Sequence, residues 1–329
     1  MKTLSIITVA YNEAKNITRL KRSIDAQRLP KGWRIETVLV DNGSHDDTAL
    51  IAGRLGYIRV VSQMKGTIAA CRNRGFDEAS GDLIAYVDAD CELGVDWMEP
   101  VVEVLEDKSL GIVGWPVVPP TPMTWVQRAW HAHWTNKRGH ITSALSGERS
   151  MTLITTANMT MTRAAMEQVG GFDASLRSGE DMNFLLRAFH LHIPLMAQPS
   201  LHVVHHGEPR SLRAFYHQQR WHCSRNSFLK MIRSGSLLRG ANALWFTLFF
   251  TMSLTGALLS LLLLCIGMSG WAALGVLPFL LIIWAPAWVI ACRAKRMGFF
   301  VSLPVLYFVY GWVRMVELFG FHYSKNSWR

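Results

Sequence analysis

Short apolar runs alternate with amphipathic stretches through the first hundred residues, and the pattern changes abruptly near residue 240. Leu4 to Ala10 predicts a strand, after which Ile17, Leu20 and Ile24 fall on one helical face. Val38 to Val40 predicts a second strand with a helix from about Thr48 to Leu55 behind it. Tyr57 to Ser62 predicts a third strand followed by a helix over Thr67 to Ala79, and Leu83 to Val87 a fourth strand. Strands that alternate with helices imply an α/β fold, a parallel sheet covered by helices.

Residues 115 to 150 break this rhythm. Pro116, Pro119, Pro120 and Pro122 argue against regular structure, and Trp125, Trp130, Trp134, His131, His133 and His140 follow. The segment reads as a loop and short helix at the substrate or membrane surface, or as aromatic packing on the core.

Beyond residue 240, Ala241 to Gly267 and Met268 to Cys292 are free of charge, and each exceeds the roughly 20 residues that cross a bilayer. Only Gly267 to Gly270 separates them, so a membrane hairpin is expected, with spans at about 243–266 and 271–292. Phe299 to Phe321 is interrupted by Pro304, Arg314 and Glu317; it admits a third span over 299–320 or an interfacial helix, the span being favoured. The expected organisation is an α/β domain over 1–235 and a membrane domain over 241–321.

Composition agrees with this division: 50% of the 329 residues are hydrophobic and 18% charged, and the mean hydropathy is +0.16. Such a chain is neither disordered nor an ordinary soluble domain. The net charge of +10 suits an anionic partner. Arg210, Arg213, Arg220, Arg225, Lys230, Arg233 and Arg239 precede the first span, and Arg293, Lys295 and Arg296 follow the second. Both clusters are expected on the cytoplasmic side, with a multi-pass inner-membrane location and a cytosolic α/β domain. Their place beside the apolar spans favours membrane lipid over nucleic acid as the partner. The five cysteines show no metal-ligand or disulfide spacing. Leu4 to Ala10 is too short, and too soon followed by polar residues, for a signal peptide.

Ligands of open parallel sheets sit beyond the carboxyl ends of the strands. Those ends carry Tyr11-Asn12-Glu13, Asp41-Asn42-Gly43-Ser44 and Asp88-Ala89-Asp90. Asp88 and Asp90, two apart in an extended segment, point to one side and suit a hard divalent cation, magnesium or manganese, that could bridge nucleotide phosphates. Neither a dinucleotide-binding nor a P-loop glycine pattern follows the first strand. Asp41 could accept from a base or ribose and Arg72 could reach a base or phosphate; a turn acid and a solvated helix cation are the plainer alternatives. Ser178-Gly179-Glu180-Asp181 fits a helix cap with Ser178 as the capping residue.

The run Ser5 to Glu13, Val40-Asp41-Asn42-Gly43-Ser44 with Asp47-Thr48, Ala70 to Gly75, Gly81-Asp82 and Asp88-Ala89-Asp90 resembles family 2 glycosyltransferases of GT-A fold. The resemblance continues through Gly170-Gly171-Phe172-Asp173 and Gly179-Glu180-Asp181 to about residue 235. It implies a Rossmann-like nucleotide-sugar domain and metal-dependent, inverting transfer from a UDP-sugar or other nucleoside-diphosphate sugar. By motif, Ala10, Tyr11 and Glu13 would line the nucleotide pocket, Asp41 meet the base, and Asp88 contact ribose or metal. Asp90 would be the principal metal ligand and Asp181, paired with Glu180 in the catalytic motif, the general base. His205 or His206 would face the diphosphate or metal. Asn42 stands where many members have a second aspartate.

Gln218-Gln219-Arg220-Trp221 is similar to the QxxRW motif of processive synthases, but its glutamine is displaced by one position and the predicted spans are too few for a polymer channel. Single addition to a polyprenyl-linked saccharide is therefore expected, with Arg220 and Trp221 at the acceptor site or packed at the membrane surface. Direct charging of a polyprenyl phosphate and a non-catalytic membrane scaffold are the alternatives.

Overall fold

The computed structural model describes residues 1–62, 66–106, 110–139, 141–223, 242–267 and 272–320. The expected basic residues Arg225, Lys230, Arg233 and Arg239, the hairpin turn Met268 to Gly270, His140 and Phe321 lie outside the described residues. The chain forms two compact units, Met1–Thr121 with Ile141–Glu208, and Pro122–His140 with Pro209–Arg329.

In the first unit, β1 (Lys2–Ala10), β2 (Trp33–Asp41), β3 (Arg59–Ser62) and β4 (Leu83–Tyr86) form the parallel half of a sheet. Helices α1 (Ile17–Asp25), α2 (Thr48–Arg54), α3 (Ile68–Glu78) and α4 (Met98–Glu106) accompany them. β1 and β2 are buried almost throughout, as expected of strands covered on both faces. β2 begins five residues before the expected Val38, because Arg34 and Glu36 hide its start from a search for apolar runs. Glu36 is buried and accepts hydrogen bonds from the hydroxyls of Ser5 and Ser80, which offset its desolvation.

The sheet is mixed rather than wholly parallel. The remaining short strands are β5 (Cys91–Leu93), β6 (Ile112–Gly114), β7 (Val117–Val118), β8 (Leu145–Ser146), β9 (Met159–Thr162), β10 (Leu195–Ala197) and β11 (Val203–His205). Among the described residues the main sheet runs β3-β2-β1-β4-β9-β6-β10-β8, with β9 antiparallel to both neighbours, and β5-β11-β7 form a second sheet. Helices α6 (Glu148–Met151), α7 (Arg163–Val169) and α8 (Glu180–His190) complete the unit. The prolines of 115–122 do not exclude all regular structure, since Val117 and Val118 pair with β11 between Pro116 and Pro119.

The second unit contains α5 (Trp125–Arg138), α9 (Leu212–His222), α10 (Asn242–Cys265), α11 (Ala272–Arg293) and α12 (Phe299–Phe319). The short helix expected near Trp125 is a 14-residue helix, opened by a capping box in which Thr124 and Gln127 satisfy each other's backbone N–H. Trp130 packs among His133, Trp134, Phe215 and Tyr310, so this aromatic segment belongs to the core of the second unit. By length and composition α10, α11 and α12 could each cross a membrane, with mean hydropathies of 2.2, 2.1 and 1.6. Pro278, Pro286 and Pro304 lie inside these helices without ending them.

Candidate active site

The parallel register places Ala10 beside Asp41, and β4 follows on the other side of β1, so three polar strand ends share one edge of the sheet. The loops are tied together by their own side chains. Asn12, at a φ of 57°, donates its N–H to Ser44 Oγ at 2.9 Å while its Oδ1 accepts from the His45 N–H at 2.9 Å. The Glu13 N–H donates to Thr48 Oγ1 at 2.8 Å, and the Tyr11 ring stands edge-on to His45. Asp41 is buried and accepts from the Ser44 N–H. Asn42 exchanges two hydrogen bonds with Gly66, donating Nδ2 to its carbonyl at 3.2 Å and accepting its N–H at 2.8 Å. An aspartate could not make the donor half of that pair, which gives a structural reason for asparagine at this position.

The antiparallel pairing of β5 and β11 sets Cys91 opposite His205 and brings the imidazole to the second acid of the Asp88-Ala89-Asp90 motif. His205 Nε2 lies 3.2 Å from Asp90 Oδ1 and its Nδ1 lies 3.3 Å from Glu208 Oε1. His206 turns instead to Glu92, at 2.8 Å, while its N–H donates to the Asp90 carbonyl. Burial opposes the charge on His205, but the hydrogen bonds to Asp90 and Glu208 outweigh it and lift the imidazole well above its ordinary pKa. Burial likewise acts to raise Asp90, yet His205 holds it below the usual carboxylate range. Asp88 is raised, chiefly by burial and against the pull of Arg72. Glu13 is pushed up to about 7, first by burial and then by the neighbouring charges of Asp90, Asp88 and Asp46, with its hydrogen bond from Asn16 opposing.

Asp90, Cys91 and His205 are close enough to share an ion. Burial raises the Cys91 thiol well above its ordinary pKa, so it stays protonated and is a poor ligand. Asp90 and Asp88 are hard oxygen donors suited to magnesium or manganese, and His205 would complete the set on giving up the proton that Asp90 and Glu208 hold on it. Gly207 protects that set: a Cβ there would overlap the Asp90 carboxylate. Gly207→Ala is therefore expected to displace Asp90 and lower transfer at least tenfold with little change in melting temperature; activity equal to wild type would refute this crowding.

Arg72 is buried between the acids, donating to Glu180 Oε1 at 2.5 Å and to Asp88 Oδ1 at 3.3 Å. The next residue, Asn73, exchanges a pair of 2.8 Å hydrogen bonds with the backbone of Phe172. α3 thus fastens the Gly170-Gly171-Phe172 turn and the start of α8 to the acid edge of the sheet. Gly179, at φ 77°, occupies the N-cap position of α8, one residue after the Ser178 expected there. Asp181 Oδ1 accepts from the Met182 N–H at 2.7 Å. Burial, then Glu180, raise its pKa to about 6, with Arg72 opposing.

Removing the buried Arg72 charge leaves Glu180 without its partner. Arg72→Met is expected to lose about 3–5 kcal/mol of stability, visible as a marked fall in melting temperature that Arg72→Met/Glu180→Gln partly restores. An unchanged melting temperature in the single variant would refute the bridge.

The structure therefore brings Ala10, Tyr11, Glu13, Asp41, Asp88, Asp90 and His205 to the strand ends and joins Glu180, the neighbour of Asp181, to Asp88 through Arg72. Arg220 and Trp221 belong to the second unit, where Arg220 Nε donates to Glu317 Oε1 at 2.8 Å and Trp221 is exposed. Gly207, Glu208 and Asn73 escaped sequence reasoning. For Gly207 and Glu208 the available signal was their place directly after the His205-His206 pair.

The glycosyl transferase family 2 sequence model matches residues 5–170. The chain belongs to that family and is a glycosyltransferase with a mixed α/β, Rossmann-like GT-A domain followed by candidate membrane helices. Among curated relatives, glycosyltransferase AglE of Haloferax volcanii is 29% identical over 191 residues, covering 56% of this chain and 60% of the relative. An undecaprenyl-phosphate 4-deoxy-4-formamido-L-arabinose transferase of Pseudomonas syringae is 28% identical over 120 residues, 35% of each chain. These matches span less than two thirds of either relative. Among solved structures, the mannosyltransferase PcManGT of Pyrobaculum calidifontis in complex with GDP-Man and Mn2+ superposes with a TM-score of 0.61 at 15% identity. That match covers 96% of this chain and 87% of the other, a likeness of fold.

Proposed function

We propose that this glycosyltransferase moves one sugar, with inversion, from a nucleoside-diphosphate sugar to a hydroxyl of a polyprenyl-linked saccharide in polysaccharide or glycolipid assembly. The observation that carries the reading is the row of acids at the strand ends, Asp41, Asp88 and Asp90, with Asp88 linked through Arg72 to Glu180, the neighbour of Asp181, in a chain that also bears three membrane-length apolar helices.

Ala10, Tyr11, Glu13 and Asp41 line the edge where the nucleotide is held. Asp88, Asp90 and His205 would hold a magnesium or manganese ion, which when bound neutralises charge on the diphosphate. Asp181 takes the proton from the acceptor hydroxyl as its oxygen bonds to the anomeric carbon; the bond to the diphosphate breaks with its electron pair leaving on the nucleotide. Arg72 is a positioning residue, holding Asp88 and Glu180 in place from its buried position. The unequal distribution of charge supports membrane attachment with the catalytic domain cytosolic. Of the 34 Lys and Arg, 16 lie in the second unit, but of the 24 acids only Glu317 does. The +10 of the whole chain is thus −5 in the first unit and +15 in the second.

Membranes containing the protein, given a panel of nucleotide sugars, manganese and a lipid-linked saccharide fraction, should release nucleoside diphosphate and yield an extracted lipid heavier by one sugar. Transfer to soluble acceptors alone would overturn the lipid-linked assignment. The similarity to an undecaprenyl-phosphate sugar transferase favours one second reading, direct charging of polyprenyl phosphate. Product formation on polyprenyl phosphate carrying no saccharide would select it.

A further inference from the structure

The single acid of the second unit is already engaged. Glu317 accepts from Arg220 of α9, whereas Arg314, three residues earlier on the same helix, is without an ion-pair partner among the described residues. The stretches 224–241 and 321–329 contain no Asp or Glu either. Arg314 has its Nε–H buried with no hydrogen-bond partner, and its guanidinium lies 4.3 Å from the Tyr310 ring centre. Cys223, at the end of α9, is close enough for its thiol to sense both Arg314 and Glu317. The cluster therefore holds two guanidinium groups and one carboxylate, which is taken by Arg220, leaving a positive charge and an unsatisfied donor on an otherwise apolar helix.

The depth of this cluster follows from its neighbours. α5 packs along α12, with His133 Nδ1 2.9 Å from the Tyr307 hydroxyl and Trp130 against Tyr310, and α9 reaches Glu317. Arg128 and Lys137 of α5, and Arg213 and His217 of α9, are exposed, which hydrocarbon does not tolerate. Residues 307–317 of α12 thus lie at the level of water and head groups, so on this reading α12 lies along the membrane surface rather than across it. The opposite face of α12, Val301, Val305, Phe308 and Trp312, is exposed and apolar, suited to lipid. A phosphate is the anion found at that depth, and a guanidinium offers it two parallel N–H donors.

We propose that Arg314, with Arg220 beside it, forms a binding site for the phosphate of a polyprenyl-linked acceptor at the membrane surface. The proposal rests on the lipid-linked acceptor of the preceding section and adds the residues that hold its head group. Tyr310 supports the Arg314 guanidinium from one side, and Glu317 orients Arg220 while leaving its terminal nitrogens to the ligand.

The test uses the full chain in phosphatidylcholine nanodiscs and reads melting temperature against added farnesyl diphosphate, phosphatidylglycerol or inorganic phosphate. Wild type is expected to show a saturable rise with farnesyl diphosphate. Arg314→Gln should abolish the rise, and Arg314→Lys, which keeps the charge without the fork, should weaken the apparent affinity at least tenfold. Arg296→Gln, which removes an exposed charge elsewhere in the unit, should leave it intact.

An equal rise in Arg314→Gln, or an equal loss in Arg296→Gln, overturns the site. An Arg314-dependent rise of the same size with phosphatidylglycerol makes it a general phospholipid site, and with inorganic phosphate a free-anion site; either outcome overturns the acceptor assignment. The unliganded melting temperature of each variant reports folding separately. Wild-type transfer to soluble acceptors alone would sink the proposed function while leaving the Arg314 response readable.

Discussion

Asp90→Asn is expected to lower kcat by about 10³-fold or more. If Asp90 is the principal metal ligand, its loss removes several kcal/mol of charge stabilisation at the departing diphosphate, and each 1.36 kcal/mol or so is a factor of ten in rate. The geometry makes this substitution more damaging than a lost ligand alone. Asp90 Oδ1 is also the partner of His205 Nε2, and the Asp90 carbonyl receives the His206 N–H, so the motif and the β11 end are organised around one residue. The measurement is nucleoside diphosphate release against manganese concentration, with melting temperature followed in parallel. Asp90→Asn should retain the fold and lose stimulation by metal. Metal-stimulated turnover within tenfold of wild type would remove Asp90 from the site.

The second large effect concerns Asp181. If it is the base, Asp181→Asn should reduce kcat by about 10²–10⁴-fold with the KM for donor nearly unchanged, since general-base assistance is expressed in the transition state rather than in donor binding. The pH profile is a sharper diagnostic. A base works as the carboxylate, and burial beside Glu180 raises Asp181 to about 6. Turnover should therefore climb as pH rises through about 6 and level off above it, whereas an ordinary carboxylate would hold the rate flat down to about pH 4. The residual activity of Asp181→Asn should lack that acid limb. A profile identical in both proteins would assign the limb, and the base, to another group.

Much of the first domain was legible because its signals are local. The apolar runs of β1 and β4, the amphipathic face of α1 and the polar strand ends each follow from short stretches of sequence. Where local reading failed, a distant partner had intervened. Arg34 and Glu36 masked the start of β2, and Ser5 and Ser80, remote in sequence, help make a buried Glu36 tolerable. The proline-rich segment contributes Val117 and Val118 to a sheet because β11 supplies the hydrogen bonds they cannot make locally. Arg72 illustrates the same limit in the site. On its helix it could be a nucleotide contact or a solvated cation, and the fold instead encloses it between Asp88 and Glu180.

By itself the sequence determined the class of fold, the family, the acids at the strand ends and the apolar helices, because strand and helix periodicity and contiguous motifs are properties of neighbouring residues. Only the tertiary structure decided which side chains share an environment. It set His205 rather than His206 beside the Asp90 carboxylate, gave Gly207 its steric duty, linked Asp88 to Glu180 through one buried guanidinium, and left Arg314 without an ion-pair partner among the described residues. Charge pairing and burial act through space, across separations of up to about a hundred residues here, and no local pattern records them.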